Sequence, residues 1–263
     1  MTTDDAVLSL DTVSKPSLLI WGGPVFSDTP SKVQWQSPVD IFAVTGNGSS
    51  YFGQLAEQYR GTDGRILRNL VAANGRNLDD YGKVALAGFS AFHGLANSIL
   101  DSDSDLVDAM VSIDSCFSAI GSPKKNGYAK FASKAGRGSG LLVMTIGPGG
   151  GVGSGATLGP GGEDFSSAID CVMASTASAG HFSKESVEGD LPEPDGGSAL
   201  VSGGVVLLDY RRFRHDQHIH DLAVPVMQAY LSPFLAQTIS PFVVKLVAGA
   251  VGIGLGWLAY DYL

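Results

Sequence analysis

The chain has 263 residues, 26 acidic against 17 basic, a formal net charge of −9 and 35 glycines. Its 44% hydrophobic share supports a full core and excludes wholesale disorder. The acidic balance, without long Lys/Arg runs, argues against a nucleic-acid footprint, and the two cysteines (Cys116, Cys171) read as free thiols, not as a disulfide framework.

The N-terminal run is acidic, with neither a basic n-region nor an apolar h-region, so no cleavable secretory signal is expected. Ser17 to Trp21 is a short apolar run entering Gly22-Gly23-Pro24 and reads as a buried strand. Val39 to Thr45 is a second strand, closed by Gly46-Asn47-Gly48. Tyr51 to Tyr59 and Ile66 to Ala73 carry apolar residues at helical spacing, split by Gly61-Thr62-Asp63-Gly64. Lys83 to Ala87 is a third strand, followed by Gly88-Phe89-Ser90 and the helix-like Ala91 to Leu100. Asp105 to Asp114 ends in a strand, Leu141 to Ile146 is another, and Gly204 to Tyr210 is the last, before an amphipathic helix over Asp221 to Leu235. Apolar strands alternating with helices predict an α/β fold: a mostly parallel sheet with helices on both faces.

Two stretches depart from the alternation. Gly147 to Gly162 is too glycine-rich for helix or strand, and it lacks the Gly-Lys-Ser/Thr ending of a phosphate loop. Glu185 to Gly197 is acidic and Pro/Gly-rich and reads as a solvated loop. At the far end, Phe242 to Tyr260 carries a single charge, Lys245, over about the length a bilayer-spanning helix needs, at the short end of the range. Ala248, Gly252 and Gly256 line one face of such a helix, suited to a membrane or homo-oligomer contact; a buried glycine-rich element is the competing reading. The organisation expected is a domain over 1–238 with an appended hydrophobic segment over 239–263, in the cytoplasm or held at a membrane through that segment.

The segment from Lys83 to Leu100 carries the clearest chemical signal. A serine on a sharp strand-to-helix turn exposes its hydroxyl above the sheet, and the next amide, that of Ala91, sits at a helix N-terminus where it can donate to an oxyanion. The competing reading of Ser90 is a helix N-cap. A nucleophilic serine needs a base oriented by a carboxylate. Asp114 closes its strand at the sheet edge that holds Ser90; Glu163 and Asp164 compete with it, and Asp209, inside the last strand, looks structural. Among the late histidines His218 is preferred as the base, with His220 close behind, while His215 is assigned to the basic loop starting at Arg211. His93 reads as a pocket wall and His181 as structural. His215, His218 and His220 with Asp216 and Asp221 could instead form a metal cluster, but no second group with ligand spacing appears. No metal and no cofactor is expected.

Together the strand–Gly88-Phe89-Ser90–helix unit, Asp114 and the late histidines resemble the α/β-hydrolase family, in the order Ser, Asp, His. The resemblance covers about Ser17 to Leu235, and the stretch His218 to Phe234 is similar to the last helix of hydrolase-like proteins encoded by bacteriophages and prophages. It departs from the pattern in two places: Phe92 replaces the second glycine of the elbow, and no acid directly follows the later strand Leu141 to Ile146, where the family's acid often lies, which leaves Asp114 for that role. The resemblance implies a serine esterase or lipase-like hydrolase acting on a small or lipid-like ester, or an amide, through an acyl-enzyme. It assigns Ser90 as nucleophile, Asp114 as orienting acid, His218 or His220 as base, and the amides of Ala91 and Gly23 as oxyanion hole. A catalytically inactive, hydrolase-like assembly module, anchored through its C-terminal segment and virion-associated if the phage similarity holds, is the alternative.

Overall fold

The computed structural model describes residues 15–23, 28–46, 48–114, 127–147 and 181–237, together with Val172 and Thr176. The hydrophobic segment over 239–263, most of the glycine-rich stretch, both cysteines, and Glu163 and Asp164 lie outside the described residues.

Eight strands form one sheet: β1 (Ser17–Gly23), β2 (Val39–Thr45), β3 (Val84–Phe89), β4 (Ala109–Ile113), β5 (Leu141–Ile146), β6 (Ser183–Glu185), β7 (Ala199–Ser202) and β8 (Val205–Asp209), in the order β2-β1-β3-β4-β5-β8-β7-β6. All pairs from β2 to β8 are parallel, and β7 and β6 add an antiparallel edge. The central strands read as almost wholly apolar runs because both of their faces are covered. Leu18 and Ile20 of β1 enter one core, Leu19 and Trp21 the other.

The first core is closed by α1 (Ser49–Tyr59), α2 (Leu67–Ala72), α3 (His93–Asp103) and α4 (Gly127–Gly136), with Phe52, Leu70, Ile99 and Phe131 among the buried side chains. The fully buried carboxylate of Asp103 accepts from the amides of Ile66 (2.9 Å) and Leu67 (3.3 Å), capping α2 from the end of α3. The second core is closed by one composite helix running from His215 to Ala236. It alternates α-helical turns with two π-helical ones, His218–Leu222 and Met227–Leu231. Each π turn lies just upstream of a proline, Pro225 or Pro233. A proline ring crowds the carbonyl four residues back and offers no N–H, and a locally widened helix accommodates both defects.

This helix corrects one expectation, and the edge hairpin corrects another. The helix begins at His215, six residues before the expected start at Asp221, so His215 belongs to its first turn and not to a basic loop. The stretch from Glu185 to Gly197 is not simply a solvated loop: Glu185 pairs with Ala199 in the edge hairpin, and Leu191 is buried in the second core. Among the described residues no helix is long and apolar enough to cross a membrane.

Candidate active site

Chain order reverses between β1 and β3, which lie side by side, and the carboxyl ends of strands at such a switch point form a natural crevice. Ser90 stands there, directly after β3, with φ 55, a left-handed conformation that costs a non-glycine residue on the order of 1–3 kcal/mol. A 3-10 turn, Ser90–Phe92, leads at once into α3, and Nδ1 of the buried His93 lies 3.2 Å from the Ser90 carbonyl oxygen. His93 therefore supports the elbow from within.

Phe92, in place of the second elbow glycine, is accommodated by two other glycines. Gly22 and Gly88 are paired across β1 and β3, and a Cβ on either would overlap the Phe92 ring. The ring fills the space they leave, fully buried, and packs edge-on against Phe52 with centroids 5.7 Å apart.

Asp114 follows β4, also left-handed (φ 38), which aspartate tolerates better than most residues. Its amide faces both the carbonyl (3.2 Å) and the hydroxyl (3.0 Å) of Thr145. Its carboxylate is divided between two partners: Oδ1 accepts from the Gly147 amide at 3.1 Å, and Oδ2 meets His215 Nδ1 at 2.6 Å. A Cβ on Gly147 would collide with that carboxylate, so glycine is required there for close approach.

The other ring nitrogen, Nε2 of His215, lies 3.0 Å from Ser90 Oγ. The imidazole stacks on Phe89, centroids 4.4 Å apart at 27°, so the residue preceding the serine also supports the histidine. The Asp114 side chain is 5% exposed and that of His215 is 47% exposed. A buried carboxylate thus holds one edge of a ring whose other edge faces the serine and solvent. With the Nδ1 proton directed to Asp114, Nε2 is left to accept the serine proton.

The structure therefore brings Ser90 and Asp114 together with His215, not with His218 or His220. His218 is fully buried, its Nδ1 3.2 Å from Thr145 Oγ1 and its Nε2 3.3 Å from the Tyr210 carbonyl, and burial pushes its pKa down. His220 is exposed two residues further along. The reason is helix phase: only the first turn overhangs the strand ends. The sequence carried one sign of that start, because Gln217, three residues after Arg214, caps the Arg214 amide through Oε1 at 2.8 Å. Asp209 ends β8 and is paired with Arg211, and His181 is exposed beside β6. Among the described residues no group of three or more His, Cys, Asp and Glu side chains is arranged to hold a metal ion.

Gly23 ends β1, its Cα side lying against Phe89, and Ala91 occupies the first turn after the strand, where amides have no acceptor within their own helix. Both stand at the sheet edge that carries Ser90. A separate groove of about 330 Å³ opens at the opposite edge, between Leu141, Gly204 and Phe234, and none of Ser90, Asp114 and His215 lines it.

No family model matches the chain, and the search of curated proteins finds no match. Among solved structures, the crystal structure of LpqC, a poly(3-hydroxybutyrate) depolymerase from Bordetella parapertussis, is similar at 12% identity and a TM-score of 0.44, over 89% of this chain and 85% of that one. The similarity of the last helix to phage-encoded proteins draws no support from these comparisons. The sheet order, the strand–elbow–helix unit at the switch point and helices on both faces make the fold α/β-hydrolase-like.

Proposed function

We propose that the protein is a serine hydrolase that cleaves a small ester through an acyl-enzyme, with Ser90 as nucleophile, His215 as base and Asp114 as orienting acid. One observation carries this reading: a single imidazole bridges Ser90 Oγ at 3.0 Å and a buried carboxylate at 2.6 Å. Ser90 Oγ attacks the ester carbonyl carbon while His215 Nε2 takes the hydroxyl proton. The tetrahedral intermediate collapses as the C–O bond breaks and His215 returns that proton to the leaving alkoxide. Water, deprotonated in turn by His215, then releases the acid and regenerates the serine.

The amides of Ala91 and Gly23 are the donors for the developing oxyanion. The catalytically inactive alternative rests on two features, Phe92 as damage to the elbow and the stripe of Ala248, Gly252 and Gly256. With its ring housed between Gly22 and Gly88, Phe92 need not disturb Ser90, which supports the catalytic reading. The test is Ser90→Ala, assayed on p-nitrophenyl esters and by fluorophosphonate labelling. Both signals should vanish, and undiminished labelling of the variant would refute the assignment.

A further inference from the structure

Behind the acid lies a buried histidine that the chemistry above leaves unused. His218 is fully buried, and its two ring nitrogens face different groups. Nε2 faces the Tyr210 carbonyl at 3.3 Å, and a carbonyl can only accept, so Nε2 carries the proton. Nδ1 is then the acceptor, and the Thr145 hydroxyl at 3.2 Å donates to it. The hydroxyl oxygen in turn accepts from the Asp114 amide at 3.0 Å. The bonds thus run in one direction, from Asp114 N–H to Thr145, from Thr145 to His218, and from His218 to Tyr210.

The starting point of this chain is the strained residue. Asp114 sits at φ 38, and its carboxylate must meet both Gly147 and His215. A backbone held in a sparsely populated region persists only where its surroundings over-determine it. A hydroxyl free to rotate would hold the Asp114 amide loosely, whereas one committed to His218 presents its lone pairs in a fixed direction.

We propose that His218 is a positioning residue, acting through the Thr145 hydroxyl to fix the left-handed backbone of Asp114 and thereby the carboxylate that orients His215. This rests on the serine-hydrolase reading for its kinetic consequence, but its structural consequence can be read without turnover.

The test compares Thr145→Val, which removes the hydroxyl at nearly constant shape, with Thr145→Ser, which keeps it, and adds His218→Leu. The first readout is the proton resonance of His215 Nδ1–H, which a 2.6 Å bond to a carboxylate shifts strongly downfield in the intact protein. Thr145→Val should move or broaden that resonance and lower kcat by about tenfold or more with KM within about twofold, since small misplacements of catalytic groups are costly. Thr145→Ser should restore both, and His218→Leu, if folded, should match Thr145→Val. A wild-type resonance in Thr145→Val overturns the proposal, whether or not kcat falls. Turnover that survives Ser90→Ala would instead refute the hydrolase reading and leave the resonance to decide the positioning role.

Discussion

His215 reconciles two demands, a fixed proton on Nδ1 and an open Nε2, because its partners differ in burial: Asp114 is shielded and Ser90 is reachable. His215→Gln should therefore lower kcat for a p-nitrophenyl ester by about 10³-fold or more, while His220→Gln, on an exposed position, should stay within about twofold of the wild type. Steady-state kinetics on both variants checks the contrast, and a large loss in His220→Gln would contradict the assignment. Gly147 offers a second test of the acid. A methyl group there displaces the Asp114 carboxylate, so Gly147→Ala should lower kcat at least about tenfold with an unchanged circular dichroism spectrum. The residues proposed as nucleophile and acid were legible in the sequence because each directly follows a strand. The base was not: three histidines within six residues look equivalent until the helix start and its π-helical turn set which of them overhangs the strand ends and which faces the sheet.

The elements differ in how plainly the sequence announces them, for reasons of burial. β5 matches its run residue for residue, because a strand covered on both faces is built almost wholly of apolar residues, Thr145 excepted; the half-buried edge strand β2, which carries Asp40, matches Val39 to Thr45 as well. The edge strand β6 and its neighbour β7 are short, and β6 is exposed along its length, so no hydrophobic period marks it. α4 keeps helical spacing through Tyr128, Phe131, Ala132 and Ala135, but the alanines give that stripe little weight. The elbow was legible as strand–turn–helix, whereas the accommodation of Phe92 was not, since Gly22 is remote in sequence and meets it only through the β1–β3 pairing. That accommodation is testable at the level of the element. Gly22→Ala should destabilise the protein by about 1–3 kcal/mol through overpacking, read as a lower urea midpoint. Combined with Phe92→Leu, the two losses should sum to less than their separate values, because the clash is between these two groups. Strict additivity would show that the ring does not occupy the space left by Gly22.

At the scale of the whole molecule, the proposed nucleophile, acid and base come from three remote parts of the chain that meet only because β3 and β4 end, and the helix after β8 begins, at one edge of the sheet. Site integrity and global folding are therefore coupled, and the buried His218 links both to pH. Its pKa lies below the ordinary 6.5 because burial disfavours the charged ring, an effect that outweighs the opposing pull of Asp114. In the unfolded chain this histidine binds its proton near the ordinary value; in the folded chain it resists protonation until lower pH. Between the two values the unfolded state holds more protons, so stability rises with pH across that window. Above about pH 6.5 the contribution is complete. As pH falls below that value, stability declines until the folded-state value is reached, by at most about 1.4 kcal/mol for each pH unit of depression. Unfolding free energies from urea titrations at about pH 7.5 and about pH 5.5 should show a larger acid-side loss for the wild type than for His218→Asn, whose amide does not titrate. An equal loss in both proteins would mean that the acid sensitivity of this fold comes from groups other than His218.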